Sequence, residues 1–261
     1  MIYDTHAHLD QLENIQEALR EASIAGVKGI VAVSMDAASC QKNFEIKQKS
    51  KSPEIYLAMG MHPSEADLQD LPQCIELIKG HQAQLKAVGE IGLDFWYKWV
   101  RKDQQKKDEQ REVFRTLLKL AKELNLPAVI HSRGAWRECL ETAKETGIKK
   151  AVFHWYSGPV DVLKEILDQG YFVSASPSLA YSPQSREAIL ESPIEQTLIE
   201  TDCPVYFQGS ETEPGFQAQP KDVFRTLKAY CALKNVREQE TLKQFNGNAE
   251  EFFGINLGKG A

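Results

Sequence analysis

The chain has 261 residues, 42% of them hydrophobic and 26% charged, so it can bury a substantial core and fits the size of one large α/β barrel. No apolar run approaches the ~20 residues of a membrane helix, and the N-terminus lacks the basic and apolar regions of a secretory signal, so we expect a cytoplasmic protein. A formal net charge of −6 disfavours a protein that holds nucleic acid through a large positive field, although bound metal ions can supply positive charge locally.

Short apolar runs alternate with amphipathic segments along the chain, a pattern typical of βα units and a parallel sheet. The runs predicted as strands are Ile2–Thr5, Gly29–Ser34, Ile55–Gly60, Ala87–Ile91, Ala128–His131, Ala151–His154, Tyr171–Ser174 and Thr197–Thr201. Helices predicted between them include Ile15–Ala25, Gln104–Leu124, Trp136–Thr146 and Val160–Gln169. We therefore predict that residues 1–261 form a single (β/α)8 TIM-type barrel domain, with its active site at the C-terminal ends of the strands.

The five cysteines are widely spaced and form no CxxC pair, which argues against a disulfide framework or a structural zinc site. We expect reduced thiols at Cys40, Cys74, Cys139, Cys203 and Cys231. Cys203 differs from the others because it adjoins a candidate metal ligand.

The first predicted strand is followed closely by two histidines in the segment Asp4-Thr5-His6-Ala7-His8. Because side chains two residues apart in a strand share one side, His6 and His8 can face a single point and chelate one metal ion. The alternative is a pair of histidines hydrogen-bonded at the barrel mouth.

Other predicted strands end at or beside a residue that can bind a metal, namely Glu90, His131, His154 and Asp202. Each of these groups alone has a structural alternative, because a buried carboxylate or imidazole also needs a salt-bridge or hydrogen-bond partner. Together with His6 and His8 they form a ligand set for two divalent metal ions. Imidazole suits Zn, and carboxylate also permits Mn or Mg, so the identity of the ions stays open.

Two such ions can activate a water molecule and stabilise charge on a scissile group. We predict Asp202 as the proton acceptor, because a carboxylate that contacts one ion can also hydrogen-bond the water. Glu90 is the second predicted catalytic carboxylate. Glu200 lies two residues before Asp202 on the same side of the strand, and we expect it to support the ligands or to be structural.

Motifs spread over nearly the whole chain resemble those of the TatD-type metal-dependent deoxyribonucleases. In chain order they are Asp4-Thr5-His6-Ala7-His8-Leu9-Asp10, Gly60-Met61-His62-Pro63, Gly89-Glu90-Ile91-Gly92-Leu93-Asp94, His131-Ser132-Arg133, Phe153-His154-Trp155-Tyr156-Ser157-Gly158, Glu200-Thr201-Asp202-Cys203-Pro204, Asn248-Ala249 and Phe252-Phe253-Gly254. The order and spacing of these motifs make the resemblance specific.

The resemblance implies a TIM-like barrel with His6, His8, Glu90, His131, His154 and Asp202 as metal ligands. It further implies that Glu90 bridges the two ions and that His62 contacts a phosphate, for which a structural or helix-capping role is the alternative. The implied activity is removal of nucleotides from DNA ends, with hydrolysis at damaged sites as a related activity.

Two segments depart from the family's pattern. After Asp202 many family members carry a basic loop, whereas residues 206–214 here are acidic and aromatic, within the irregular stretch 204–220. Residues 174–178 also differ from the pattern. Both segments border the expected position of the substrate, so they bear on substrate identity more than on metal binding.

Residues 95–102 read FWYKWVRK and interleave aromatic with cationic side chains beside Glu90, which is the composition of a base-stacking platform. We expect Arg133, Trp155, Tyr156 and Tyr206 to ring the same opening. The predicted partner is therefore DNA, as single-stranded ends, and we infer no membrane and no obligate protein partner. The alternative is that Phe95 and Trp96 pack under the barrel rim and the cations are only solvated.

The same fold and metals can also attack a carbonyl carbon, so a metal-dependent amidohydrolase or lactonase acting on a small molecule is the alternative enzyme. His62, Arg133 and the cationic loop favour a phosphate, and the fifth strand lacks the lysine that a carbamylated bridge would need. A barrel that only binds is a further alternative, which the complete ligand set disfavours.

Overall fold

The computed structural model of the chain describes residues 1–209 and 214–255. Its main sheet consists of parallel strands that pair in chain order from β1 to β8. The strands are β1 (Ile2–Ala7), β2 (Val27–Val33), β3 (Glu54–Met59), β4 (Leu85–Gly92), β5 (Ala128–His131), β6 (Ala151–Phe153), β7 (Phe172–Ala175) and β8 (Thr197–Ile199). β1 also meets the residue segment that follows β8, through a parallel bridge between Ala7 and Cys203. The predicted (β/α)8 barrel is confirmed.

Helices follow the strands and cover the outside of the sheet. They are α1 (Ile15–Ala25), α2 (Ala37–Lys49), α3 (Leu71–His81), α4 (Gln104–Glu123), α5 (Trp136–Thr146), α6 (Val160–Asp168), α7 (Pro183–Glu191), α8 (Val223–Lys234) and α9 (Glu238–Phe253). The predicted bounds of α1 and α5 agree with the structure, and α4 and α6 each end one residue earlier than predicted. Within residues 1–209 and 214–255, no helix is long and apolar enough to cross a membrane.

The local sequence explains where α1 begins and ends. The side chain of Asn14 accepts a hydrogen bond from the backbone N–H of Glu17, which satisfies a donor that the first helical turn leaves without a partner. At the other end Gly26 adopts a φ of 97°, a left-handed conformation that costs glycine little because it has no Cβ. The chain can therefore turn directly from α1 into β2.

The stretch after β8 is more ordered than the sequence predicts. Two short antiparallel strands, β9 (Tyr206–Phe207) and β10 (Phe216–Gln217), form a hairpin within the stretch 204–220 that we predict as irregular. The hairpin packs inward through Phe207, which is fully buried, and Trp155 lies 5.2 Å from its ring. Residues 210–213, including the acidic Glu211 and Glu213 of the divergent loop, lie outside the described residues.

The end of the barrel at the strands' N-termini is packed with side chains. Tyr3, near the start of β1, belongs to an apolar cluster that includes Phe252 and Phe253 at the end of α9. Asn248, in the same helix, donates hydrogen bonds to the backbone oxygens of Ile194 (2.6 Å) and Thr197 (2.8 Å). α9 therefore joins the beginning and the end of the sheet.

Replacing Asn248 by Ala should lower the free energy of unfolding by about 1–3 kcal/mol, because two carbonyl groups lose their donor. Denaturant unfolding monitored by circular dichroism measures this change. The matched control is Asn246→Ala, because Asn246 makes an exposed bond to the Met1 oxygen and its loss should cost less than about 0.5 kcal/mol. Equal effects of the two substitutions would contradict the assigned role of Asn248.

Candidate metal centre

The structure brings the predicted metal ligands together in one cluster at the C-terminal ends of the strands. His6 lies in β1, Glu90 in β4 and His131 at the last residue of β5. The ligands that lie just beyond a strand are His8, His154 and Asp202. Five of these six residues are buried, and only the side chain of His131 is partly exposed, at 14%.

A first ligand group consists of His6 Nε2, His8 Nε2, Glu90 Oε2 and Asp202 Oδ1. The nitrogen of His6 lies 3.2 Å from the Glu90 oxygen and 3.3 Å from the Asp202 oxygen, and that of His8 lies 3.3 Å from each. Four ligands at about 2.0 Å from a tetrahedral Zn ion are about 3.3 Å from one another. The spacing of this group therefore fits one metal ion.

A second ligand group forms around the other oxygen of Glu90. Oε1 lies 2.8 Å from His131 Nδ1 and 2.7 Å from His154 Nε2, and these two nitrogens are 3.2 Å apart. The rings of His6 and His154 stack with their centroids 4.0 Å apart, so the two groups are adjacent. Glu90 thus presents one oxygen to each group.

Charge and hydrogen bonding within the centre favour cations. His6 Nε2, Glu90 Oε2 and Asp202 Oδ1 are buried and have no hydrogen-bond partner among the described residues, an arrangement that costs free energy unless something positive binds there. Burial alone would raise the pKa of Glu90, but the imidazoles of His154, His62 and His6 hold it well below its usual range. The donor set therefore fits divalent metal ions.

The pKa values of His8, His154 and Asp202 shift in the directions expected of a centre that binds positive charge. Although burial disfavours the His8 cation, contacts with Asp202 and Glu90 raise its pKa to about 10. Burial is likewise outweighed at His154, whose pKa lies well above its usual range because of Glu90 and Glu200. Burial alone would raise the pKa of Asp202. The neighbouring imidazoles of His8, His6 and His154 lower it by more, so this pKa lies below its ordinary value. The carboxylates of the centre therefore favour positive charge at these positions.

Asp94 contacts the candidate ligand His131 from behind, a role that we do not predict for it from the sequence. Its Oδ2 lies 2.9 Å from His131 Nε2 and accepts a hydrogen bond of 2.8 Å from Arg133 Nε. The Trp96 backbone N–H donates to its Oδ1 at 2.9 Å. A carboxylate behind an imidazole fixes the ring and leaves the other nitrogen for a metal. The signal in the sequence is an acidic residue that follows the apolar run of β4, and the structure shows its side chain fully buried.

Glu200 lies behind His154 in a similar way. Its Oε1 is 3.3 Å from His154 Nδ1 and accepts the backbone N–H of Trp155 at 3.0 Å. The Ser174 hydroxyl donates to its Oε2 at 2.6 Å. The predicted supporting position of Glu200 corresponds to this geometry, which directs Nε2 of His154 toward Glu90.

His62 borders the second ligand group. Its Nε2 lies 3.3 Å from His131 Nδ1 and 3.6 Å from Glu90 Oε1, and burial lowers its pKa to about 3. The backbone N–H of Ser64 donates to His62 Nδ1 at 3.0 Å. Because that nitrogen accepts, the proton of the neutral ring is on Nε2, which makes Nε2–H a hydrogen-bond donor that faces the second ligand group.

Barrel closure and ligand placement use the same residues. The His8 N–H donates to the Cys203 oxygen at 2.8 Å, and the Asp202 N–H donates to the His6 oxygen at 3.0 Å. Asp4, fully buried, accepts from the Thr201 N–H at 2.9 Å and from its hydroxyl at 2.6 Å. Asp202 itself has a φ of 50°. The seam between β1 and β8 therefore sets the position of three ligands.

A cavity of about 1120 Å³ opens above the ligands. Of the predicted substrate contacts, His62, Arg133 and Trp155 line it. Tyr206 is not among the described residues of the lining, and its side chain is 62% exposed on β9. Tyr156 is buried and donates its hydroxyl proton to the Pro159 oxygen at 2.8 Å. Only some of the residues predicted to surround the opening therefore lie at the cavity.

Comparison with known proteins places this chain among metal-dependent hydrolases. The family model described as TatD related DNase matches residues 3–254. A metal-dependent hydrolase of Bacillus subtilis, YabD, is 32% identical over 98% of this chain and 100% of its own length, and human deoxyribonuclease TATDN3 is 28% identical over 97% and 94%. The crystal structure of YJJV, a TatD homologue of Escherichia coli, has a TM-score of 0.87 and 24% identity and covers 98% of both chains.

Replacing Asp94 by Asn should weaken metal binding about 10–100-fold at one of two sites, because His131 would lose the carboxylate that orients it. Calorimetric titration with Zn or Mn resolves the two binding events. The matched control is Asp161→Asn, a carboxylate that is 71% exposed on α6 and should leave both affinities unchanged. Unaltered binding in the Asp94 variant would contradict this reading.

Proposed function

The chain belongs to the TatD-related DNase family, and from that premise we propose that it is a two-metal phosphodiesterase that removes nucleotides from DNA ends. The observation that carries the proposal is the buried Glu90, whose two oxygens face two separate groups of ligand atoms. The name of the human relative, a deoxyribonuclease, supports DNA as the substrate.

In the proposed centre one ion would be held by the first ligand group and the other by the second, with Glu90 shared between them. When bound, the two ions supply Lewis-acid stabilisation of the phosphate oxygens and lower the pKa of a water molecule. The ions are Zn, Mn or Mg, since the mixed imidazole and carboxylate ligands suit the first two and permit the third.

Asp202 is the proposed proton acceptor. Its Oδ1 faces His6 and His8, and its side chain also lines the cavity. One carboxylate can therefore face the ligands with one oxygen and accept a proton from water with the other. The lowered pKa of Asp202 keeps it ionised at neutral pH, so it is ready to accept.

His62 and Arg133 are the proposed phosphate contacts. His62 lines the cavity, and its Nε2–H faces the second ligand group, where the phosphate would be bound. Arg133 donates through Nε to Asp94, so its terminal nitrogens would contact the phosphate, a pairing that suits the planar guanidinium. Trp155 lines the same cavity and is a further proposed contact.

The alternative enzyme, an amidohydrolase or lactonase acting on a small molecule, has less support. β5 reads Ala-Val-Ile-His and contains no lysine, and Glu90 lies between the two ligand groups. A cationic side chain and a histidine N–H donor in the cavity suit a phosphate better than a neutral carbonyl group.

Replacing Asp202 by Asn should lower the rate of hydrolysis of end-labelled single-stranded DNA about 10²–10⁴-fold, because the proton acceptor is lost. Gel analysis with added Zn, Mn or Mg follows stepwise shortening of the strand. Asp108→Asn, on the exposed face of α4, is the control and should retain full activity. Metal content measured beside the rates separates loss of the acceptor from loss of an ion.

Two results would overturn this proposal. One is an Asp202→Asn variant that shortens DNA as fast as the wild type. The other is a wild-type protein that binds metal and hydrolyses lactones or amides but leaves every DNA intact, which would establish the small-molecule alternative.

A further inference from the structure

One wall of the cavity consists of aromatic rings, and no role in hydrolysis has been assigned to it. We define the aromatic wall as Trp96, Tyr97 and Trp136, all of which line the cavity together with the metal ligands. We propose that this wall is a stacking subsite for the unpaired base of the terminal nucleotide whose phosphate lies at the metal centre. The inference rests on the proposed function and specifies which part of the substrate is bound, and where.

The wall is joined to the metal centre through Asp94. One oxygen of this carboxylate accepts the backbone N–H of Trp96 at 2.9 Å, and the other contacts His131 and Arg133. A single buried side chain therefore positions a proposed metal ligand, a cation and the backbone from which the Trp96 indole extends. A nucleotide has the same arrangement of parts, because its phosphate and its base are linked through the sugar.

Both indoles of the wall lie against glycine backbone. A Cβ added to Gly134 would be 2.3 Å from Cδ1 of Trp96, and one added to Gly158 would be 2.6 Å from Cγ of Trp136. The two rings also meet edge to face, with centroids 5.9 Å apart and planes at 83°. These contacts fix the rings before a ligand arrives, which reduces the entropy lost on binding.

Tyr97 extends the wall, and Arg133 places a positive charge beside its ring. The guanidinium of Arg133 lies 4.9 Å from the Tyr97 ring centroid, a cation–π distance. Aromatic rings flanked by a cation bind single-stranded nucleic acid without regard to sequence, because every base has a π face that can stack on a ring. The expected ligand is therefore a terminal nucleotide of any base, provided that the base is unpaired.

The exposure of Trp96 separates this subsite from ordinary packing. Its side chain is 59% exposed although it lies beside a buried metal centre, whereas Phe95 packs against the apolar core beneath Lys107 and Arg111. Trp99, in the same loop, is 57% exposed but stacks on Tyr97, so it supports the wall and cannot serve as a control. Val236 is 45% exposed beyond the end of α8 and is not among the described residues of the cavity lining, so it provides the control.

The test compares single-stranded oligonucleotides that carry a normal terminal nucleotide with the same strands ending in a tetrahydrofuran abasic residue, at either end. Wild type, Trp96→Ala and Val236→Ala are assayed for kcat/KM of terminal cleavage. Equilibrium binding is measured by fluorescence anisotropy with an internal label. For the normal end we expect Trp96→Ala to lower kcat/KM and affinity about 5- to 150-fold. For the abasic end we expect less than about a twofold change, and Val236→Ala should resemble wild type on both.

Equal losses of Trp96→Ala on normal and abasic ends, or no loss on either, would overturn the subsite and leave the proposed hydrolysis intact. Should wild type cleave none of the strands, the proposed function fails, and the anisotropy arm still decides: base-dependent weakening by Trp96→Ala supports the subsite. Base-independent binding overturns it. Because Trp96 is largely exposed, its replacement should leave folding unaffected, which thermal unfolding of the variant checks.

Discussion

The burial of the Glu90 carboxylate is the constraint on which the rest of this centre depends. A carboxylate that is 1% exposed costs several kcal/mol unless positive charge surrounds it. Here both oxygens are faced by imidazole nitrogens, Oε2 by His6 and His8 and Oε1 by His131 and His154. These nitrogens belong to the ends of β1, β5 and β6, so this one side chain on β4 is reached from strands on several sides of the barrel.

A second layer of carboxylates makes the arrangement rigid. Asp94 lies behind His131, Glu200 lies behind His154, and Asp4 holds the Thr201 backbone just before Asp202. None of these three acids is among the described residues of the cavity lining, and each contacts a candidate ligand or the backbone next to one. Three of the candidate ligands lie in the β1–β8 seam. The positions of these side chains in the centre therefore depend on closure of the barrel. The same layer reaches the substrate side, where Asp94 also anchors Arg133 and Trp96.

Much of the fold and of the candidate metal centre could be predicted from the sequence, because the candidate ligands lie where each apolar run ends. Alternation of strands and helices predicted the barrel, and the six candidate ligands were recognisable as polar groups where the strands stop. Asp94 was not assigned a role because its partners, His131 and Arg133, belong to another strand end, and the local sequence does not encode that contact. Tyr206 was misplaced for a related reason: the hairpin of β9 and β10 turns its ring outward, and local composition does not encode the direction of a loop.

The central claim is that Glu90 is shared by two metal ions. Crystals grown with Zn or Mn and measured at the absorption edge of that metal test it directly. The account predicts two anomalous peaks about 3.5–4 Å apart, with one oxygen of Glu90 at each. The same crystals of Glu90→Gln should show weakened density at both positions. A single peak, or two peaks that do not contact Glu90, would contradict the account.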